Sequence, residues 1–114
     1  MKAYTDLEQS KKLAKFFPIE SSDMYWDLIS KDEYARVNNI GHCLGRYCIY
    51  AWSLAALFDI LPDDTNIIKD KSDTENEKYM CTIGVKGDII STFGKNPVDV
   101  CYKMIIKLYE QKLL

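Results

Sequence analysis

Asn96-Pro97-Val98-Asp99-Val100-Cys101-Tyr102-Lys103-Met104-Ile105-Ile106-Lys107-Leu108-Tyr109-Glu110-Gln111 is the stretch that decides the fold. Asn96 is a favoured N-cap, because its side-chain oxygen accepts from an otherwise orphan backbone N–H. Pro97 at the first helical position gives up only an N–H that had no intrahelical partner. Asp99 sets a negative charge against the positive end of the helix dipole. Val98, Cys101, Tyr102, Ile105, Leu108 and Tyr109 recur at helical spacing and share one face. Asp99, Lys103, Lys107 and Glu110 fall on the other side, with Asp99 and Lys103 spaced for a weak surface ion pair. Such a stripe normally covers a sheet or another helix. It is therefore read as core packing, with Tyr102 and Tyr109 inside it, rather than as a ligand groove.

Upstream of this helix the apolar period is two. Thr65–Lys69, Lys78–Val85 and Asp88–Phe93 read as three strands. Tyr79, Cys81, Ile83 and Val85 are expected to face inward, with Met80 and Thr82 on the opposite side. Lys86-Gly87 is a tight-hairpin candidate, and Asp70–Asn76 is a charged link. Short links between consecutive strands favour an antiparallel meander. Before the strands, Trp52–Leu61 reads as a helix with Leu54, Leu57, Phe58 and Leu61 on one face and Ala55, Ala56 and Ile60 on the other. Being apolar nearly all round, it is expected to lie buried between two layers. Pro62 ends it.

The N-terminal part is less legible. A first helix is expected over Asp6–Phe16, opened by a capping box between Thr5 and Glu8 and stopped by Pro18. Its apolar stripe (Ala3, Leu7, Ser10, Ala14, Phe17) is thin. Asp23–Ile29 admits a strand, from its aromatic content, or a helix capped by Ser22 or Asp23; helix or turn is the reading preferred here. Lys31–Gly45 is polar, with turn signals at Asn38-Asn39 and Gly41 and a short extended piece around Glu33–Val37. Together these elements define an α+β protein: a small three-stranded antiparallel sheet with helices packed on it in two or three layers. One domain over residues 1–114 is expected, since 114 residues suffice for one apolar core.

Composition is that of a globular protein, 47% hydrophobic and 28% charged. Net charge is -2, and of fifteen basic residues only Arg36 and Arg46 are arginine. Without the basic excess that counterion release rewards, nucleic-acid binding is not expected. Lys11, Lys12 and Lys15 could form a local basic patch on the first helix, but Glu8 sits three and four residues before Lys11 and Lys12, so the group reads as a solvated, salt-bridged face. No apolar run reaches the ~20 residues a membrane-spanning helix needs. The N-terminus is polar, so no secretory signal is expected and the protein is placed in the cytoplasm.

The usual chemical constellations are missing. Gly84 and Gly87 are too few for a phosphate cradle. Ser53, in Ala-Trp-Ser-Leu-Ala, lacks the glycines of a nucleophile elbow and reads as a helix start. Asp70, Ser72 and Thr74 alternate like a calcium loop, but Glu75 occupies the position that needs glycine. Cys43, Cys48, Cys81 and Cys101 contain no Cys-x-x-Cys pair. His42, Cys43 and Cys48 with Cys81 make a zinc-stabilised domain an alternative. A small-ligand site or an enzyme with dispersed residues near His42, the only histidine, is another. Carboxylates are plentiful (Glu20, Asp23, Asp27, Asp32 and Glu33), but without a pocket they are no evidence for acid–base work. Cys81 and Cys101, however, fall on apolar faces and read as small buried hydrophobes. Neither a cofactor nor a metal is expected. Tyr34, Arg36, Arg46, Tyr47 and Tyr50 bracket the central loop and form a candidate interaction surface, since Tyr and Arg are enriched at protein–protein hot spots.

Three segments carry a resemblance. Tyr4-Thr5-Asp6-Leu7-Glu8-Gln9-Ser10-Lys11-Lys12-Leu13-Ala14, Trp52-Ser53-Leu54-Ala55-Ala56-Leu57 and Asn96-Pro97-Val98-Asp99-Val100-Cys101-Tyr102-Lys103-Met104-Ile105 are similar to small uncharacterised proteins of gut bacteria and their prophages. In those proteins the Trp-Ser-Leu motif often follows proline and cysteine, where Tyr50-Ala51 stands here. The layout from Trp52 onward resembles the phage α-β-α sandwich domain. The resemblance implies a phage or mobile-element accessory protein of no assigned activity; a well-formed core without a chemical constellation adds the expectation that it is non-catalytic and acts by binding a protein partner or by self-association. It brings no catalytic residues with it.

Overall fold

The C-terminal helix forms as its cap predicts. In the computed structural model, which describes residues 2–28, 35–37, 48–69 and 79–114, this helix spans Pro97–Glu110 and is called α3 below. Before it come α1 (Leu7–Ala14), a 3-10 turn (Ile19–Ser21), β1 (Met24–Asp27), β2 (Arg36–Val37), β3 (Cys48–Ala51), α2 (Leu54–Ile60), β4 (Asn66–Lys69), β5 (Tyr79–Val85) and β6 (Asp88–Gly94). The strands form two antiparallel sheets, ordered β2-β1-β3 and β4-β5-β6. The fold is α+β. Contacts gather the chain into two units, Ala3–Ala56 and Leu57–Leu114 with the first two residues.

In the C-terminal unit, α3 packs against β5 and β6. Asn96 Oδ1 accepts from Asp99 N at 2.9 Å, the expected cap. The buried face is broader than the predicted stripe: Val100, Met104 and Ile106 join Val98, Cys101, Ile105 and Leu108, while Tyr102 is half-buried and Tyr109 exposed. The tyrosines thus mark the edge of the stripe and not its centre. Asp99 and Lys103 find other partners than each other: Lys2 Nζ reaches Asp99 Oδ1 at 2.8 Å, and Lys103 Nζ donates to Phe93 O at 2.7 Å. The helix ends in a Schellman motif, with Leu113 N donating to Leu108 O and Lys112 in the left-handed region.

The three strands fall where the alternation places them. Lys86 (φ 51) and Gly87 (φ 86) both have positive φ, the geometry of a two-residue type I′ hairpin. Val85 faces Asp88 across it, and the register runs through Ile83–Ile90 and Cys81–Thr92 to Tyr79–Gly94. Cys81 and Ile83 are buried, as alternation predicts, while Tyr79 and Val85 at the strand ends are half-buried. A Cβ on Gly94 would stand 3.0 Å from Val100 Cγ1, so glycine lets β6 close on the first turn of α3. The Asp70–Asn76 link lies outside the described residues.

The N-terminal unit corrects several expectations. Met24–Asp27 is a strand, not a helix or turn; it pairs with β3 over four residues and with β2 over two. Its aromatic side chains suit a pleated surface between two partners, and that preference outweighs the capping signal at Ser22-Asp23. The first helix is capped by Asp6, whose carboxylate accepts from Gln9 N at 2.8 Å while Gln9 Oε1 accepts from Asp6 N. The capping box is therefore Asp6–Gln9 and not Thr5–Glu8. Thr5 is needed elsewhere: fully buried, it bonds Ser10 and the Trp52 backbone. α2 begins at Leu54, and it is not buried all round, since Ala55 and Phe58 are exposed while Ala56 and Leu57 are buried. Seven residues make barely two turns, enough to bury one side. Glu33 and most of Lys31–Gly45 lie outside the described residues; Arg36–Val37 is extended, as expected.

Candidate functional site

Three groups of side chains in the described residues bear on function. The first surrounds the start of α2. Asp23 holds Ser53 with both carboxylate oxygens: Oδ1 accepts from Ser53 N at 2.8 Å, and Oδ2 accepts from the Ser53 hydroxyl. Ser53 Oγ in turn accepts from Ala56 N at 3.2 Å. A serine beside a carboxylate suggests a nucleophile, but here the hydroxyl is an N-cap, and Asp23 adds negative charge at the helix N-terminus. Its neighbour Trp52 is fully buried, with Nε1 donating to Ser21 Oγ at 3.0 Å. The sequence identifies Ser53 as a helix start but gives no sign of Asp23 beside it, thirty residues away.

The second group is a thiol pair. Cys81 on β5 and Cys101 on α3 are both fully buried, with their thiols hydrogen-bonded to each other. Thr92 stands opposite Cys81 in register, and its Oγ1 donates to Val100 O at 2.8 Å. The hydrogen bond to Cys81, and then burial, push the Cys101 thiol far above its ordinary range. The same hydrogen bond pulls Cys81 down, against burial. Neither sulfur reaches solvent, which is the setting of inert structural cysteines rather than nucleophiles.

The third group lies on the first sheet. Tyr25 is opposite Arg36 on one side and Tyr50 on the other, so the three share one face in a single cross-strand row. Tyr25 is buried, Tyr50 half-buried and Arg36 exposed. Of the candidate interaction residues, Arg36 and Tyr50 are thereby brought together; Tyr34, Arg46 and Tyr47 lie outside the described residues. So do His42, Cys43, Asp32 and Glu33. Cys48 is half-buried on β3, and Cys81 has Cys101 as its partner. Among the described residues, no three His, Cys, Asp or Glu side chains are grouped to hold a metal. Among them, too, no helix is long and apolar enough to cross a membrane.

The sheet β4-β5-β6 presents a surface that the sequence does not single out. Its inner face carries Cys81, Ile83 and Thr92. On the opposite face the register aligns Ile68, Met80 and Phe93 across all three strands, with Ile89 two rows away beside Gly84. Ile68 is 47% exposed, Phe93 40% and Ile89 76%. The signal in the sequence is a set of apolar residues at the outward positions of alternating strands. Strand propensity alone accounts for such residues equally well.

Comparison with protein-family models, curated proteins and solved structures finds no match for this chain.

Proposed function

We propose that the chain is a non-catalytic accessory protein of phage or mobile-element origin, and that it works by binding another protein through the outer face of the β4-β5-β6 sheet. The observation that carries this reading is the row Ile68–Met80–Phe93 with Ile89 on the side of the sheet away from α3, in which Met80 is half-buried and Ile68, Phe93 and Ile89 are left in water. Apolar groups gathered on one exposed face mark interaction sites. Two groups of chemistry-bearing side chains among the described residues support the non-catalytic part, because they serve the fold. Ser53 and Asp23 cap a helix, and Cys81 and Cys101 fill the core. The similarity of the three quoted segments to prophage-associated proteins supports the origin, and flanking genes of phage type are the expected neighbourhood.

The test is capture from a lysate of the native host with three baits. The parent chain should retain a partner that an Ile68→Asp/Phe93→Asp variant loses and an Arg36→Ala/Tyr50→Ala variant keeps. Loss confined to the second variant would move the site to the first sheet. Equal retention by all three baits would refute the reading.

A further inference from the structure

The same sheet has an open edge. Val85 and Asp88 close a two-residue hairpin, and such a closing pair exchanges both of its backbone hydrogen bonds. Bonded pairs alternate along an antiparallel ladder, so Ile90, Thr92 and Gly94 also turn their N–H and C=O groups toward β5. Those of Ile89, Ser91 and Phe93 point the other way. No described strand pairs with that side of β6. The strand is seven residues long and contains neither proline nor lysine. Strands of this kind template the addition of another strand. The opposite edge, β4, is shorter and ends in Lys69.

We infer that β6 pairs antiparallel with β6 of a second copy about a two-fold axis at Ser91, joining the two three-stranded sheets into one. The inference goes beyond the reading of the outer face: it concerns the open edge of the same sheet, and it names a second copy as the occupant of that edge. Three features select a second copy. A two-fold axis at Ser91 sets Ile89 opposite Phe93 of the other copy, twice over. The row Ile68–Met80–Phe93 then continues onto the most exposed apolar residue of the neighbouring chain. All the outward donors and acceptors of Ile89, Ser91 and Phe93 meet their mirror partners, as an isologous interface demands. Charge agrees as well. Asp88 opens the strand and Lys95 follows it, both exposed, so antiparallel pairing brings each beside its opposite at both ends.

Lys103 modulates the edge. Its ammonium donates to Phe93 O at 2.7 Å, one of the outward carbonyls. A lysine placed on an edge discourages pairing. A carbonyl oxygen accepts two hydrogen bonds, so Lys103 weakens the second copy's hold without forbidding it.

The experiment is sedimentation equilibrium over a concentration series, beginning with the intact chain. The expected result is a reversible dimer, twice the 13.2 kDa monomer. Ile89→Lys, at a site too exposed to matter for folding, should raise the dissociation constant by about tenfold or more, and Lys103→Met should lower it. Register is read separately by cross-linking. In a background with Cys43→Ser and Cys48→Ser, Ser91→Cys should give a covalent dimer with diamide as oxidant, since paired strand positions lie within disulfide reach. Lys95→Cys should not, because it is displaced from its own mirror image along the strand. A chain that stays monomeric throughout overturns the inference. So does a dimer indifferent to Ile89→Lys, or one cross-linked equally from both positions. Loss of the captured partner without loss of the dimer, or the reverse, separates this inference from the reading of the outer face.

Discussion

The two units hold themselves together by different means. In the C-terminal unit α3, packed on β5 and β6, buries seven residues, and all are apolar or thiol. In the N-terminal unit the buried centre is a hydrogen-bonded node around Thr5. Thr5 N donates to Trp52 O at 2.9 Å, and Trp52 N donates to Thr5 Oγ1 at 3.0 Å. Thr5 Oγ1 and Ser10 Oγ lie 2.8 Å apart, and Trp26 Nε1 donates to Thr5 O at 3.2 Å, with the Tyr4 ring edge-on to Trp26. One residue thereby ties the chain ahead of α1, α1 itself, β1 and the end of β3. Dispersion and burial are non-directional, so the first arrangement tolerates several side chains in each place. The second depends on a particular set of donors and acceptors, and a missing member leaves the rest buried without partners.

The contrast is sharpest where one side chain is removed. Ile105 is fully buried in α3. Ile105→Ala removes apolar volume that the helix cannot recover by collapsing, and should cost about 3 kcal/mol in urea denaturation. A cost near zero would show that α3 is not seated on its sheet as a core element. Thr5→Val keeps the shape and deletes only the hydroxyl. It leaves Trp52 N–H without its acceptor, at an expected cost of about 2 kcal/mol. Because Ser10 shares the same node, the double variant Thr5→Val/Ser10→Ala should cost less than the two single losses together. Strict additivity would mean that the hydroxyls do not act as a unit, and the distinction between the units would fall.

This difference also decides how much of the molecule is legible in the sequence. α3 is legible because cap, proline and apolar period lie within one stretch, Asn96 to Leu108. The strands β4, β5 and β6 are legible for the same reason, their alternation being local and Lys86-Gly87 marking the turn. The N-terminal unit is organised by pairings between distant residues: Thr5 with Trp52, Trp26 with Thr5, Asp23 with Ser53. No period announces these. Thr5 resembles a cap because Glu8 follows three residues later, yet Asp6 and Gln9 have the same spacing and take the role once Thr5 is drawn into the core. Met24–Asp27 resembles a helix start because Ser22 and Asp23 are good caps; Asp23 does serve a helix start, but by holding Ser53, the cap of α2. The outer face is hidden for another reason. Ile68, Phe93 and Ile89 are apolar whether a strand is covered or open, and only the register shows that they share the side away from the α3-facing Cys81 and Thr92.

Two buried threonines in the C-terminal unit depart from its apolar rule; Thr92 has a partner in Val100 O, and the other, Thr65, offers the finest test. Thr65, just before β4, is buried, and its Oγ1 has no hydrogen-bond partner. Its backbone is already satisfied, with Thr65 N donating to Pro62 O at 3.1 Å, so the turn does not need the hydroxyl. An unpartnered buried hydroxyl forfeits its hydration with nothing in return. Thr65→Val replaces it with a methyl of nearly the same size and keeps the β-branch that suits the start of a strand. The expected outcome is a gain of about 1 kcal/mol, read as a higher urea midpoint at unchanged slope. The same exchange at Thr5 is expected to destabilise. Two Thr→Val substitutions of opposite sign would show that the deciding quantity is whether the hydroxyl has a partner. A loss at Thr65 would place a hidden acceptor beside it and bring the C-terminal core closer in kind to the N-terminal one.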